Sequence, residues 1–334
     1  MKQIVVVLCA LAMCACRTEK GNVERFRNTS LSGPVFGTGY SVVYDSNIDF
    51  TRQLDSIFDV INQSMSTYIP TSEVSKLNRN ETYTLDAHFE NVFQASKLIF
   101  ESTKGAFDPT IGDVVNAWSF GADKNKFLTD SATIDSIMRF VGFNKVHLSN
   151  GKLEKQPKTY LEFNAIAKGY GVDVVALFLE SYNIENYLVN IGGEIRVKGI
   201  NMDKNKPWTV GLDQPRFDGL QDPDDYVLAV ELNNEAMATS GTYRKFKVDN
   251  KGNRYAHIMD TKSGYPSKTN ILSVSVIAPS CMIADGYATA FQAMGIEKVK
   301  ALLKSHPELK VFFIFENEQN ELETLSLNNF AKNE

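Results

Sequence analysis

The chain has 334 residues, of which 43% are hydrophobic and 22% are charged, a composition typical of a globular protein with one large or two ordinary domains. Its 40 acidic and 35 basic residues give a formal net charge of −5 at pH 7, which argues against nucleic acid as a partner. After the N-terminal stretch, no segment has the roughly 18 uninterrupted apolar residues that a membrane-spanning helix needs.

The first 16 residues, M-K-Q-I-V-V-V-L-C-A-L-A-M-C-A-C, combine a lysine, an apolar run and small residues before a cysteine, which predicts a secretory signal. They resemble a bacterial lipoprotein signal in which Cys16 becomes the lipidated N-terminus. Cys14 is the less favoured cysteine, and plain secretory cleavage is the alternative. We therefore expect an extracytoplasmic protein on the periplasmic side, anchored to a bacterial membrane. Because Cys281 would then be the only cysteine of the folded domain, no internal disulfide is expected.

The remaining chain is expected to form a flexible tether at 17–33, a folded domain at 34–328 and a short tail at 329–334. Hydrophobic residues that alternate predict strands, and a period near 3.6 predicts helices. In chain order, the sequence predicts a strand at 35–45, helices at 48–65, 86–103 and 134–140, and a hairpin at 146–153. Residues 160–173 are expected to run from a strand through a turn of small residues into a helix that continues to 179. There follow two strands around Gly192-Gly193, strands at 208–212, 226–232, 237–240 and 271–277, helices at 284–294 and 297–305, and a strand at 310–315. This alternation predicts a mixed α/β (α+β) protein of two intertwined lobes.

Three polar or aromatic positions in the first half of the chain are candidates for a binding site, and two of them allow a structural interpretation as well. Tyr68 precedes the helix-breaking Pro70 and is either an exposed aromatic platform or a packed loop tyrosine. Asp108, in the turn before Pro109, is either a cap or the edge of a pocket for a planar ring. Lys168 lies in a turn of small residues that resembles a phosphate-approach loop, although the P-loop pattern is absent.

The stretch from 257 to 289 is the densest in candidate functional residues. His257 and Asp260 lie three residues apart ahead of a Ser-Gly-Tyr-Pro turn, which would present both side chains. A strand then leads into a helix on which Asp285 and Thr289 are four residues apart and share one face. Such a pair can hold a hard cation, whereas a helix cap is the structural alternative for the aspartate. A structural role is likewise the alternative for the histidine.

Eight stretches, in this order, resemble the ApbE family of flavin transferases, the FAD:protein FMN transferases. They are F-G-T at 36–38, M-S-T-Y-I-P-T-S-E-V-S-K-L-N at 65–78, A-F-D-P-T-I-G at 106–112, N-A-I-A-K-G-Y-G-V-D at 164–173, L-V-N-I-G-G-E-I at 188–195, A-T-S-G at 238–241, H-I-M-D-T-K-S-G-Y-P at 257–266 and A-D-G-Y-A-T-A at 284–290. The resemblance implies an ApbE-like fold with an FAD and metal site between its two lobes.

The resemblance also implies a reaction. The enzyme would cleave FAD, attach the FMN moiety through a phosphodiester to a threonine of an acceptor flavoprotein, and release AMP. The acceptor would be a subunit of a membrane electron-transport complex. A metal-dependent FAD pyrophosphatase that gives FMN and AMP is the alternative, and a non-catalytic FAD-binding lipoprotein is a third possibility.

Specific residues are implied for each role. Magnesium would be held by the carbonyl of Ala165 and by the side chains of Asp285 and Thr289. His257 is the candidate general base, with Asp260 as the less favoured one. The positions that would contact FAD are Phe36, Tyr68, Ala106, Phe107, Asp108, Glu162, Lys168 and Ile258. Phe36 stands where the family commonly has Met, and Glu162 where it commonly has Asp.

Overall fold

The computed structural model describes residues 28–82, 84–123, 129–216, 226–243, 246–248 and 254–331. The predicted signal at 1–16 with its lipidation cysteine, most of the expected tether, and residues 332–334 of the expected tail lie outside these ranges. No helix within them is long and apolar enough to cross a membrane.

Strands and helices contain nearly equal numbers of the described residues. The strands are β1 (Thr29–Val35), β2 (Thr38–Tyr44), β3 (His147–Ser149), β4 (Lys152–Glu154), β5 (Tyr187–Ile191), β6 (Glu194–Lys198), β7 (Ile200–Asn201), β8 (Lys206–Asp213), β9 (Tyr226–Leu232), β10 (Ala236–Gly241), β11 (Phe246–Val248), β12 (Arg254–Ala256), β13 (Ile271–Ala278), β14 (Lys310–Glu316) and β15 (Leu322–Leu327). The helices are α1 (Thr51–Met65), α2 (Glu73–Asn78), α3 (Ala87–Ser102), α4 (Gly112–Ala117), α5 (Ser131–Met138), α6 (Ala167–Ser181), α7 (Cys281–Met294) and α8 (Ile296–Leu303).

An eight-stranded antiparallel sheet forms the centre of the molecule, in the order β1-β2-β5-β6-β10-β13-β14-β15. Every residue of β13 is buried, because this strand lies inside the sheet and both of its faces are covered. On β10, Ala238 belongs to the apolar cluster under the helices, whereas Met237 belongs to a second cluster with Val210 and Leu212 of β8. Helices therefore cover one face of the sheet, and the small sheet β7-β8-β9 covers the other.

The mixed α/β fold class is confirmed, and most predicted elements are present with ends shifted by a few residues. The predicted strand at 35–45 was wrong in part, because the chain forms a hairpin there. β1 ends at Val35, and Phe36 and Gly37 make the turn with φ of 49° and 74°. Since β1 pairs with β2 from Thr29 onwards, residues 29–33 belong to the sheet and not to a tether. Their small and polar side chains gave no apolar signal, so only the pairing with β2 makes them a strand.

The helix predicted at 284–294 begins three residues earlier, at Cys281. The side chain of Ser280 accepts a hydrogen bond from the backbone N–H of Ile283, which is a typical N-cap. Asp285 and Thr289 therefore lie in the second and third turns of α7, so neither of them caps the helix.

Candidate functional site

A cavity of about 740 Å³ lies where β6 and β10 separate. Within the described residues, these two strands pair only through Arg196 with Ala236 and Ile195 with Met237. Beyond this point the sheet is open between them. The cavity is consequently lined from both sides of the sheet, by α7 on the helical side and by residues 209–213 of β8 on the other.

Most of the predicted site residues line this one cavity. They are Ala106, Phe107, Asp108, Glu162, Ala165, Lys168, His257, Ile258, Asp285 and Thr289. Phe36, Tyr68 and Asp260 are not among the lining residues. Residues from four separate stretches of sequence thus meet at the opening in the sheet.

Asp285 and Thr289 are positioned by the close crossing of α6 and α7. The Asp285 carboxylate is 4% exposed, and its Oδ2 accepts a hydrogen bond of 3.0 Å from the backbone N–H of Gly169. A Cβ at Gly169 would lie 2.4 Å from the carbonyl oxygen of Cys281, so only glycine allows this approach. One turn along α7, Thr289 Oγ1 lies 3.1 Å from Ser240 Oγ of β10.

The start of α7 is fixed by a second buried carboxylate, outside the cavity. Asp173 of α6 accepts hydrogen bonds from the backbone N–H groups of Cys281 at 3.0 Å and Met282 at 2.8 Å. Arg196 of β6 donates to the same carboxylate at 2.9 Å. The helix that carries Asp285 and Thr289 is therefore tied both to α6 and to the central sheet.

Two carboxylates and one ammonium group share the cavity wall beside α6. Lys168 Nζ lies 2.5 Å from Glu194 Oε2, and Glu194 is only 2% exposed. Burial raises the pKa of Glu194 to about 7, with the charge of Lys168 opposing this and that of Asp285 adding to it. Burial likewise raises the pKa of Asp285, although Lys168 and the Gly169 N–H oppose the change. Burial would lower the pKa of Lys168, but the charges of Glu194 and Asp285 raise it overall.

The atoms predicted to hold a metal are all oxygens. The side chains of Asp285 and Thr289 line the cavity together with Ala165, whose carbonyl is the third candidate ligand. One carboxylate with neutral oxygen donors suits a hard cation such as magnesium better than a soft transition metal. Among the described residues, no group of three or more His, Cys, Asp or Glu side chains could hold a metal ion. By the chemistry of their oxygen donors, Asp285, Thr289 and Ala165 fit magnesium.

The two candidate general bases differ in their placement. His257 lines the cavity, and its ring lies edge-on to Phe120 with 6.3 Å between the centroids. Asp260 is exposed, and its carboxylate accepts hydrogen bonds from the backbone N–H groups of Lys262 and Ser263 at 2.8 and 3.3 Å. It closes the predicted turn, in which Gly264 has φ of 72°. The placement favours His257 as the residue that can meet a substrate.

The predicted flavin-contacting side chains also differ in what they contact. Asp108 lines the cavity, but its carboxylate accepts hydrogen bonds from the Thr110 hydroxyl at 2.6 Å and the Phe143 N–H at 3.2 Å. It therefore braces its own turn, and the interpretation as a helix cap was wrong, because Ile111 is the N-cap of α4. Tyr68 is half exposed and lies outside the cavity lining, and burial together with the charge of Glu162 raises its pKa. Phe36 packs against Phe58 instead, with ring centroids 5.7 Å apart.

Glu194 is the cavity residue that sequence reasoning missed. Its motif, L-V-N-I-G-G-E-I, was recognised, but no role was assigned to the carboxylate. The available signal was the pair Gly192-Gly193, whose φ values of 66° and 105° form the turn that delivers Glu194 to the start of β6. Ser240, the hydroxyl neighbour of Thr289, belongs to the polar stretch T-S-G-T-Y-R-K-F at 239–246, which the sequence indicates as a possible source of hydroxyls for a site.

Comparison with known proteins gives consistent matches over most of the chain. The model of the ApbE family matches residues 36–313. A protein of Haemophilus influenzae named FAD:protein FMN transferase is 36% identical, over 98% of this chain and 96% of its own length. A protein of the same name from Vibrio cholerae is 35% identical, over 83% of this chain and 84% of its own length.

Solved structures agree with these matches. The flavin transferase ApbE from Vibrio cholerae has a TM-score of 0.81 at 33% identity and covers 91% of this chain and 98% of its own. The apo form of the flavinyl transferase ApbE from Pseudomonas stutzeri has a TM-score of 0.79 at 28% identity, with coverage of 90% and 94%.

Proposed function

The chain belongs to the ApbE family and is a flavin transferase, and from this premise we propose that it transfers the FMN moiety of FAD to a threonine hydroxyl of an acceptor protein. In the proposed reaction the threonine oxygen forms a bond to the phosphorus on the FMN side of the FAD diphosphate. The bond from that phosphorus to the bridging oxygen breaks, and AMP leaves with the electron pair. The hydroxyl proton passes to a base of the enzyme.

The observation that carries this proposal is the meeting of Lys168, His257, Asp285 and Thr289 in one cavity. A volume of about 740 Å³ lies within the range of cavities that enclose ligands of this size. Lys168 offers an ammonium group to the diphosphate, and His257 offers an imidazole that can accept a proton near neutral pH. These are the charges and proton acceptors that phosphoryl transfer to a hydroxyl requires.

We propose that Asp285, Thr289 and the carbonyl of Ala165 hold magnesium. When bound, the ion supplies positive charge that stabilises the diphosphate in the transition state. The chain's own residues do the remaining work. Gly169 holds the Asp285 carboxylate through its N–H, and Ser240 lies within hydrogen-bonding distance of the Thr289 hydroxyl, so both side chains are oriented in advance.

We also propose that the protein acts outside the cytoplasm, anchored to a bacterial membrane through a lipid on Cys16. The support is the N-terminal sequence alone, since a signal with a cysteine at its end precedes the domain. An acceptor in an extracytoplasmic part of a membrane electron-transport complex would lie within reach of such an enzyme.

The test is co-expression with a flavoprotein subunit of such a complex, followed by mass spectrometry of the acceptor. We expect one added FMN on a threonine, AMP in equimolar amount, and neither product with the Asp285→Ala variant. Free FMN and AMP with unlabelled acceptor would instead favour a pyrophosphatase. Absence of any FAD turnover by the wild-type protein in the presence of magnesium would contradict both.

A further inference from the structure

Glu194 is a buried charge that the proposed reaction does not yet use. It lines the cavity at 2% exposure, and its Oε2 lies 2.5 Å from Lys168 Nζ. The turn at Gly192-Gly193 fixes the backbone just before it, with the Gly193 N–H donating to Asn190 Oδ1 at 3.0 Å. Burying an ionised carboxylate is costly unless it is paired, and Lys168 is its partner here, so the question is what this buried pair does in the cavity.

The charges around Lys168 answer this question. The ammonium group interacts electrostatically with Glu194 and also with Asp285, the candidate metal ligand. A divalent cation beside Asp285 would repel this ammonium group, because both carry positive charge. A second carboxylate next to the ammonium group offsets the repulsion without occupying a metal ligand position.

We propose that Glu194 is a positioning residue that holds the Lys168 ammonium group in place and supplies the charge that lets it lie beside a divalent cation at Asp285. This inference rests on the proposed function, because it assigns Lys168 to the diphosphate of FAD and Asp285 to the metal. In this scheme Glu194 contacts neither FAD nor the metal. It acts through Lys168.

Loss of this charge should change the affinity for the divalent cation and the affinity for FAD in opposite directions. Without the Glu194 carboxylate, the cation meets an uncompensated ammonium group and binds more weakly. The ammonium group is then free for the diphosphate, and the cavity is less negative, so FAD binds more tightly when no metal is present. A residue that merely supported the fold would weaken both ligands together.

Glu194→Gln is the direct test, because it removes the charge and keeps the shape. Manganese binding would be measured by electron paramagnetic resonance, and FAD binding in EDTA by the change in flavin fluorescence, both at about pH 8. We expect manganese to bind about tenfold more weakly and FAD to bind severalfold more tightly than in the wild type. Glu185→Gln is the control, since Glu185 pairs with Lys198 outside the cavity and its loss should change neither affinity.

Lys168→Met provides a second and independent test, with both signs reversed. Manganese should bind more tightly, and FAD in EDTA should bind more weakly. The inference is wrong if Glu194→Gln weakens the binding of both manganese and FAD, or leaves both affinities as in Glu185→Gln. It is also wrong if Lys168→Met does not reverse the two effects. A wild-type protein that binds neither manganese nor FAD would instead overturn the proposed function.

Discussion

At the scale of single residues, the cavity separates the two candidate bases. His257 lines it, whereas the Asp260 carboxylate is exposed and bonded to its own turn. We predict that His257→Ala lowers the rate of FMN transfer between about 100- and 10 000-fold, as loss of a general base does. Asp260→Asn keeps most of the turn and should change the rate far less. Single-turnover assays of acceptor labelling would measure both, and an equal loss in the two variants would contradict the assignment.

The pKa of Glu194 leads to a prediction about stability. Its value of about 7 exceeds the ordinary 4.5, so the folded protein binds this proton more tightly than the unfolded chain does. The stabilisation is fully present below about pH 4.5 and is lost as the pH rises through about 7. The free energy of unfolding of the wild type, relative to that of Glu194→Gln, should fall between about pH 5 and pH 8 by up to about 3 kcal/mol. Urea unfolding of both proteins at the two pH values would show this, and a constant difference would refute it.

Residue spacing also explains what the sequence could reveal about the site. The sequence predicts that Asp285 and Thr289 lie close together, because residues four apart share one face of a helix. The sequence does not predict the contact between Lys168 and Glu194, because this contact depends on how α6 and β6 pack in three dimensions. Likewise, the crossing that brings the Gly169 N–H to Asp285 joins residues 116 positions apart.

At the scale of secondary structure elements, α7 carries the proposed metal ligands, and Asp173 secures its first turn. Two backbone N–H groups and Arg196 share this buried carboxylate. Asp173→Ala would leave the N–H groups without a partner and Arg196 with only its longer contact of 3.4 Å to Glu180, so we predict a loss of about 3 kcal/mol in the free energy of unfolding.

Urea unfolding would measure this loss. Asp59→Ala, on the exposed side of α1, is the control and should change stability by less than about 0.5 kcal/mol. Since α7 positions Asp285, manganese affinity should fall together with stability in Asp173→Ala. A variant with wild-type stability would show that Asp173 does not anchor the helix.

The elements themselves were largely predictable, and the exceptions have physical causes. Amphipathic helices such as α1 and alternating strands such as β9 follow from local periodicity. β1 was missed because its small polar residues become a strand only when β2 pairs with them. The opening between β6 and β10 could not be predicted, since it depends on where two strands of distant sequence stop pairing.

At the scale of the whole molecule, the domain and its N-terminal segment have separable roles. The cavity residues named above all lie in the described domain, whereas the proposed anchor is Cys16. We predict that Cys16→Ser moves the protein from the membrane fraction to the soluble extracytoplasmic fraction and abolishes labelling with radioactive palmitate. FAD turnover by the isolated protein should not change, because the residues that line the cavity are untouched.

Cys14→Ser is the matched control for this experiment. It should keep both the membrane location and the palmitate label, since Cys14 is the less favoured lipidation site. Labelling that persists in Cys16→Ser and disappears in Cys14→Ser would move the anchor to the other cysteine. An unlabelled and soluble wild-type protein would point to plain secretion.

The separation of β6 from β10 also has a consequence for the exchange of backbone amide hydrogens with deuterated water. Beyond Met237, β10 pairs with β13 on one side, while its other side borders the cavity. Amides of residues 239–241 that point towards β13 should therefore exchange slowly, as in any central strand, whereas those that point into the opening should exchange quickly. Occupancy of the cavity by FAD would slow the second set alone, which gives a residue-resolved signal of binding that needs neither catalysis nor an acceptor.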